Sequence, residues 1–329
     1  MKYDSELLCC LYLKLLFIFF FYSFEHGSVL TQSRELYKLS SRKSRAPFDM
    51  PAAEVQALYE QQGYLSALPI LSPEELQSAR DAFAELERKH GEDYTAYSLH
   101  NIHMEYEWAR GLAKHPRLLQ VVTAALGPDV ILLDSRFICK YPVSNKQQNN
   151  DVIAYNQSGN SCEEKKEGSA NEEKDSLPFV AWHQDMKYWG FDGGPVLSVW
   201  LALDDSLEDN GALQVIPGSH HSGLLPHHQS KRSGNMLSVN QEIPEELVET
   251  EKAVLCPLLA GQMSIHDGLL VHASDPNTSS RRRCGYVLRY VPTCTYPIQD
   301  PERPRTFPAT LLVNGVDKYN HFSKQNSTL

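Results

Sequence analysis

No two cysteines in this chain stand in a C-x-x-C spacing, and the seven present, Cys9, Cys10, Cys139, Cys162, Cys256, Cys284 and Cys294, follow no regular interval. An odd, scattered set argues against a disulfide framework or a zinc ribbon and for free thiols in a reducing compartment, so a cytoplasmic location is expected. Positive charge is also short: 31 Lys and Arg against 41 Asp and Glu leave a formal net charge of -10. That balance argues against nucleic acid as a partner, which needs clustered cations on one face. The densest basic cluster, Arg281-Arg282-Arg283, is too short for that role and needs a local explanation. Missing too is an uninterrupted apolar run of membrane-spanning length. Leu7 to Phe24 comes nearest, but Lys14 breaks it, and Leu15 to Tyr22 falls far short of the ~20 residues a spanning helix needs. The early acids Asp4 and Glu6 fit poorly with a signal peptide, so an extension is favoured, with a cleaved signal and an anchor kept as alternatives.

What remains is a globular composition, 42% hydrophobic over 329 residues. Residues 1–50 read as the apolar segment and a polar linker, 51–300 as the folded domain and 301–329 as a C-terminal tail. Two helices follow Pro51. The second has Ser72 as N-cap, Pro73 in the first position, Glu75 at the capping-box position and Gly91 beyond its last turn. Its Leu76, Ala79, Phe83 and Leu86 lie on one stripe that packs against something larger. A third helix spans Pro116 to Leu126, and Val130 to Tyr141 reads as a strand. Between 144 and 176 the composition turns to Asn, Gln, Ser, Gly, Glu and Lys, too polar to offset ordering entropy, so this insert reads as a mobile loop.

From Phe179 the chain becomes short apolar runs broken by Gly, Pro, Asn and Asp: 179–185, 196–204, 212–216, 251–259, 262–266, 269–273 and 284–291. Without helices between them, such strands form a sandwich or closed barrel. The fold class read is mainly β with flanking helices, a jelly roll.

The stretch from Phe179 to Trp200 carries the chemistry. His183 and Asp185 stand two apart, and on a strand such positions share a face, so an imidazole and a carboxylate are offered to one point. One further ligand would complete the facial triad of a non-haem Fe(II) oxygenase, with positions left open. H-x-D alone is weak, and each residue could equally face water. His266 and His272 are the candidates for the third ligand. Asp267-Gly268 follows the first as a turn signal, whereas His272 precedes the turn Asp275-Pro276-Asn277-Thr278 at a barrel mouth. Counted outward from that turn, Arg283 lies as far along its strand as His272, while Arg289 lies roughly 20 Å further at about 3.3 Å per residue. Arg283 is therefore the better partner, suited to a bidentate grip on a carboxylate. Arg281 and Arg282 are left to the surface or to substrate, and Lys187, Tyr188 and Trp189 lie near enough to Asp185 to contact substrate. Asn277 belongs to a tight turn, which counts against its sequon being used; the others begin at Asn156 and Asn326.

Five blocks in order, Trp182-His183-Gln184-Asp185, Asn210-Gly211-Ala212-Leu213-Gln214-Val215-Ile216-Pro217-Gly218-Ser219-His220, Gly261-Gln262-Met263-Ser264-Ile265-His266, His272-Ala273-Ser274 with Pro276-Asn277, and Arg281-Arg282-Arg283 with Leu288-Arg289-Tyr290, together resemble the phytanoyl-CoA dioxygenase family. The resemblance covers roughly Pro51 to Thr293. It implies a double-stranded β-helix (cupin-like) fold and an oxygenase using Fe(II) and 2-oxoglutarate, with ascorbate as a supporting reductant. By that resemblance His183, Asp185 and His272 ligate the metal, Arg283 binds the far carboxylate of 2-oxoglutarate, and Ser274, Trp200 and Gln184 line the cosubstrate. Halogenating members replace the ligand carboxylate with a small residue; Asp185 is present here, which implies hydroxylation or oxidative cleavage of a small molecule with O2. Two rivals stay open: a zinc hydrolase on the same ligands, which would have no use for Arg283, and a non-catalytic member binding a ligand on an inherited barrel.

Overall fold

Ser72 starts the longest helix as its sequence signals require. Its Oγ accepts from Glu75 N at 3.2 Å, and Ser72 N donates to the Glu75 carboxylate at 2.8 Å, so the capping box is closed on both sides. The computed structural model describes residues 50–142, 177–298 and 306–322. The N-terminal apolar segment, the 144–176 insert and the sequons at Asn156 and Asn326 lie outside the described residues. No helix among the described residues is long and apolar enough to cross a membrane. The helical layer comprises α1 (Ala52–Gln62), α2 (Pro73–His90), α3 (Glu92–Tyr97), α4 (Glu107–Ala113) and α5 (Pro116–Leu126). Between α1 and α2 runs a strand the sequence reading had missed, β1 (Tyr64–Pro69).

After α5 come β2 (Val130–Lys140), β3 (Val180–His183), the single turn α6 (Met186–Trp189), β4 (Phe191–Asp192), β5 (Leu197–Ala202), β6 (Leu213–Val215), β7 (His228–Gln229), β8 (Gln241–Glu242), β9 (Val254–Cys256), β10 (Gln262–Asp267), β11 (His272–Ser274), β12 (Arg283–Pro292), β13 (Tyr296–Pro297) and β14 (Leu311–Asn314). They form a six-stranded sheet, β1-β10-β5-β12-β2-β14, and a four-stranded sheet, β3-β11-β6-β9. Every neighbouring pair in both sheets is antiparallel. The fold is the expected mainly β jelly roll with flanking helices.

One expected boundary needs correction. Residues 306–322 are not a tail, because β14 pairs with β2 as an edge strand and Phe307 and Phe322 pack around Phe191. Pairing and aromatic burial fasten this stretch, and neither leaves a local periodic signal.

The larger sheet separates its two faces by residue parity. Phe137, Cys139, Val199, Leu201, Met263, Ile265, Cys284, Tyr286 and Leu288 join Phe83, Leu86, Leu118 and Val121 of the helices in one buried apolar cluster. Phe137 stacks on Tyr286 with centroids 4.5 Å apart and meets Phe83 at 4.7 Å. The alternate positions carry polar groups: Asp134, Arg136 and Lys140 on β2, Ser198 on β5, Ser264 and His266 on β10, Arg283 and Arg289 on β12. A sheet face that buries that many polar side chains requires either partners or a ligand.

Candidate metal centre

The shared barrel interior brings His183, Asp185 and His272 together: one ligand atom from each lies within 4.8 Å of the others, and all three residues are buried. His272 stands opposite His183 in the β11–β3 pairing, with ring centroids 4.1 Å apart. Backbone carbonyls fix both rings. His183 Nδ1 lies 2.8 Å from Ala181 O and 3.1 Å from His272 O, and His272 Nδ1 lies 2.9 Å from Leu270 O. With Nδ1–H donating to a carbonyl, the tautomer leaves the Nε2 lone pair for a metal.

Asp185 reaches the point by a different route from the one expected. The strand ends at His183, and Asp185 has helical torsions, φ -57 and ψ -39, at the start of α6. Met186 N donates to Gly268 O at 2.8 Å, which draws the chain out of the sheet. Asp185 Oδ1 still comes to 3.6 Å from His183 Nε2. Its other oxygen accepts from Ser198 Oγ at 2.7 Å and lies 3.5 Å from Arg289 Nε and 3.7 Å from His266 Nε2. Burial alone would raise the Asp185 pKa, but Arg289 and the surrounding imidazoles hold it well below the usual carboxylate range. Burial, reinforced by His183 and His266, pushes His272 well below its ordinary value and keeps it neutral. A carboxylate and neutral imidazoles are the protonation states a divalent cation requires.

The two histidines weighed for the third ligand lie in different sheets, His266 on β10 and His272 on β11, because Asp267-Gly268 turns the chain between them. His266 nonetheless faces the centre, its ring 4.4 Å from that of His272, and neither of its nitrogens has a hydrogen-bond partner. The expected depths of the arginines also need correction. Arg289, placed too far away by counting residues, is the one beside Asp185. Counting from the turn fails because β11 and β12 belong to separate sheets whose inner faces converge.

Arg283 lies at the other end of β12, buried, its guanidinium over the Trp200 ring at 4.5 Å. Its Nε donates to Ser206 Oγ at 3.3 Å, and its Nη1 is buried without a hydrogen-bond partner. Burial pushes its pKa down to about 10. Gly285 makes room for that stack, since a Cβ there would meet the Trp200 ring at 2.1 Å. Directly opposite Arg283 on β2 stands Lys140, which sequence reasoning had missed. Its Nζ donates to Ser274 Oγ at 2.7 Å, Ser274 O at 3.1 Å and Asp275 O at 2.5 Å. Burial and then Arg283 push the Lys140 pKa well below its ordinary value. These two adjacent buried basic side chains form no ion pair with a carboxylate among the described residues, an arrangement that an incoming anion would compensate. The signal for Lys140 was available: it continues the alternation Asp134, Arg136, Ile138 at the end of an otherwise apolar strand.

Gln184 is buried but engaged elsewhere: its amide donates to Gly223 O and Leu269 O and accepts from Leu225 N. It fastens the loops that flank His183 and Asp185. Arg281 pairs with Asp209 at the surface and half-buried Arg282 bridges Asp204 and Glu87, so ion pairs account for two of the three arginines in the basic cluster. Asn277 Nδ2, the atom a glycan would occupy, donates to Lys140 O and Arg281 O within the turn. A cleft of about 360 Å³ opens onto Asp185, bordered by Tyr97, Asp134, Arg136, Trp189, Arg289 and Phe307 among others.

The phytanoyl-CoA dioxygenase (PhyH) family model matches residues 59–285, which include Lys140, His183, Asp185, His272 and Arg283 but not Arg289. The chain belongs to the phytanoyl-CoA dioxygenase family. Among relatives in that family's range, L-proline trans-4-hydroxylase of Streptomyces griseoviridis is 29% identical over 141 residues, 36% of this chain and 52% of that protein. The phytanoyl-CoA dioxygenase of Arabidopsis thaliana is 35% identical over 112 residues, 34% of this chain and 38% of that protein. The matched stretches thus span about half or less of the relatives' length. Among solved structures, the non-heme monooxygenase ThoJ shares a TM-score of 0.58 at 24% identity, covering 80% of this chain and 84% of that one. The epimerase SnoN, solved with Fe3+, alpha ketoglutarate and nogalamycin RO, shares 0.56 at 19%, covering 80% and 98%. The likeness to these solved structures shows the jelly-roll fold.

Proposed function

We propose that this PhyH-family chain is an Fe(II)- and 2-oxoglutarate-dependent dioxygenase that hydroxylates or oxidatively cleaves a small organic substrate, releasing succinate and CO2. The observation that carries the reading is the pairing of two sites on one barrel interior: the His183, Asp185 and His272 donors, and the Arg283 and Lys140 cations. The residues present fit both groups. The two imidazoles and the carboxylate suit a divalent metal with open positions, and the unpartnered buried Arg283 Nη1 suits an incoming carboxylate oxygen. A zinc hydrolase on the same ligands would leave those cations, burial cost included, without a purpose.

When bound, iron would activate O2, whose reduction would draw two electrons from 2-oxoglutarate as it is decarboxylated and two from the substrate, chemistry that side chains lack. The chain supplies position and environment. Ala181 O, His272 O and Leu270 O hold the imidazoles in one tautomer, and Ser198 orients Asp185. Arg283 and Lys140 anchor the distal carboxylate of 2-oxoglutarate, with Trp200 and Ser274 shaping its bed. Arg289 keeps Asp185 ionised and walls the substrate side. Substrate enters by the cleft beside Trp189.

The test is anaerobic loading with Fe(II) and 2-oxoglutarate, then admission of O2 in the presence of metabolite extracts, with succinate measured. Succinate release that needs all three components and disappears in His183→Ala and Asp185→Ala supports the proposal. Turnover with Zn(II) and no 2-oxoglutarate would overturn it. A cytoplasmic location is also proposed, on the cysteine pattern, and is tested by fractionating cells that express the full chain.

A further inference from the structure

Along β2, side chains at alternate positions face the barrel interior, so Lys140 and Arg136 share that face four residues apart, about 13 Å at roughly 3.3 Å per residue. β12 runs opposite, setting Arg283 against Lys140 and Arg289 against Asp134. The interior therefore has basic side chains at two ends, the second with the carboxylates of Asp134 and Asp185 beside them. Lys140 and Arg283 form the one assigned to the cosubstrate, and Arg136 with Arg289 form another, bordering the cleft that opens onto Asp185.

The arginines of the second end differ in their partners. Arg289 is flanked by acids, with Asp134 Oδ1 at 3.4 Å and Asp185 Oδ2 at 3.5 Å, and its charge is spoken for. Arg136 forms no ion pair with any described residue. Its guanidinium lies over the Tyr97 ring at 4.1 Å, its Nη2 meets the His100 ring nitrogens at 2.8 and 2.9 Å, and its Nε is buried without a hydrogen-bond partner. An aromatic ring below and an imidazole acceptor at one edge hold the planar cation in place, and the half-buried side chain borders the cleft with no carboxylate paired to it among the described residues.

We propose that the substrate carries an oxyanion, a carboxylate or a phosphate monoester, that docks on Arg136 at the mouth of the cleft. The proposal rests on the dioxygenase reading above, since it places the reacting carbon between this anion and the metal. Neutral molecules of the same shape would leave Arg136 partly desolvated and unpaired, which is the basis of discrimination.

The experiment uses the full chain loaded with Fe(II) and 2-oxoglutarate and matched probes: hexanoate against hexanamide, and hexyl phosphate against hexanol. Binding is read by anaerobic calorimetry and turnover by succinate release. The expected result is that at least one anion binds about tenfold or more tightly than its neutral partner, that Arg136→Gln abolishes this preference, and that Arg136→Lys retains part of it. The affinity for 2-oxoglutarate stays at the wild-type value in both variants, which also reports that they are folded. A preference for hexanoate or for hexyl phosphate identifies which oxyanion is taken. Equal binding of anions and neutrals by the wild-type protein, or an anion preference that survives Arg136→Gln, overturns the proposal whatever the variants' stability. Failure of the dioxygenase reading looks different, because 2-oxoglutarate itself would then neither bind nor be converted to succinate.

Discussion

At the scale of single residues, the arrangement around Asp185 depends on hydrogen bonds from neighbours that never touch the metal. Ser198 Oγ holds one carboxylate oxygen at 2.7 Å. Ser198→Ala is expected to lower Fe(II) affinity about 10- to 100-fold with the fold intact, measured by competition with a chelator. Lys140→Met should raise the dissociation constant for 2-oxoglutarate by about tenfold or more, while Lys140→Arg loses less; calorimetry on the metal-loaded protein checks this. A second route to the same defect runs through Gly285. Replacing it by Val drives atoms into the Trp200 ring and displaces the stack beneath Arg283, so thermal stability falls by about 1–3 kcal/mol and cosubstrate affinity falls with it. The ligand triad was legible in the sequence because H-x-D and a late histidine are short, chemically distinctive patterns. Lys140 was not singled out, since a lone lysine ending an apolar strand looks like a solvated strand end until its partner Arg283 is placed opposite. Arg289 was misjudged for the related reason that residue counting measures distance along a strand and says nothing about convergence between sheets.

At the scale of elements, capping chemistry was read correctly and edge strands were not. The box at Ser72 and Glu75, the proline start of α5 and the glycines after α2 and α5 act within a few residues, so they are visible locally. β1 and β14 exist because β10 and β2 offer them free edges, a condition set far away in the chain. The docking of residues 306–322 contains a pH-sensitive contact. Buried His103 meets Ser135 Oγ at 2.6 Å through Nδ1 and Ala309 O at 2.8 Å through Nε2. Burial lowers its pKa from the ordinary value of 6.5, outweighing the carbonyl that favours the cation. The unfolded chain therefore takes up a proton near about pH 6.5 that the native histidine refuses. Stability is complete above that pH and declines as pH falls below it. Urea midpoints between about pH 5 and 8 should show this decline, and His103→Gln should flatten it.

At the scale of the whole molecule, one sheet serves two opposite solvents. Its outer face is apolar and sealed by the helices, and its inner face gathers cations within a chain whose formal net charge is -10. Composition alone argued against anionic partners of polymer size and was silent on a small anion held inside. The alternation that separates the faces is written in β2 as Asp134, Arg136, Ile138 and Lys140, with Ser135, Phe137 and Cys139 between them on the other face. Assigning those positions to an interior, and not to water, required the second sheet to be placed over them. Overall class was readable from the cadence of short strands; which face was wet was not.

The β2–β12 ladder runs unbroken in register from Arg283–Lys140 to Arg289–Asp134. Both basic ends are therefore bolted to one stiff ribbon and cannot drift apart, much as graduations keep their spacing on a ruler. For a homologous series of straight-chain acids, the oxidised carbon should sit at a constant count from the acidic terminus, whichever C–H bond is intrinsically weakest. Mass spectrometry of the products would read the graduation directly.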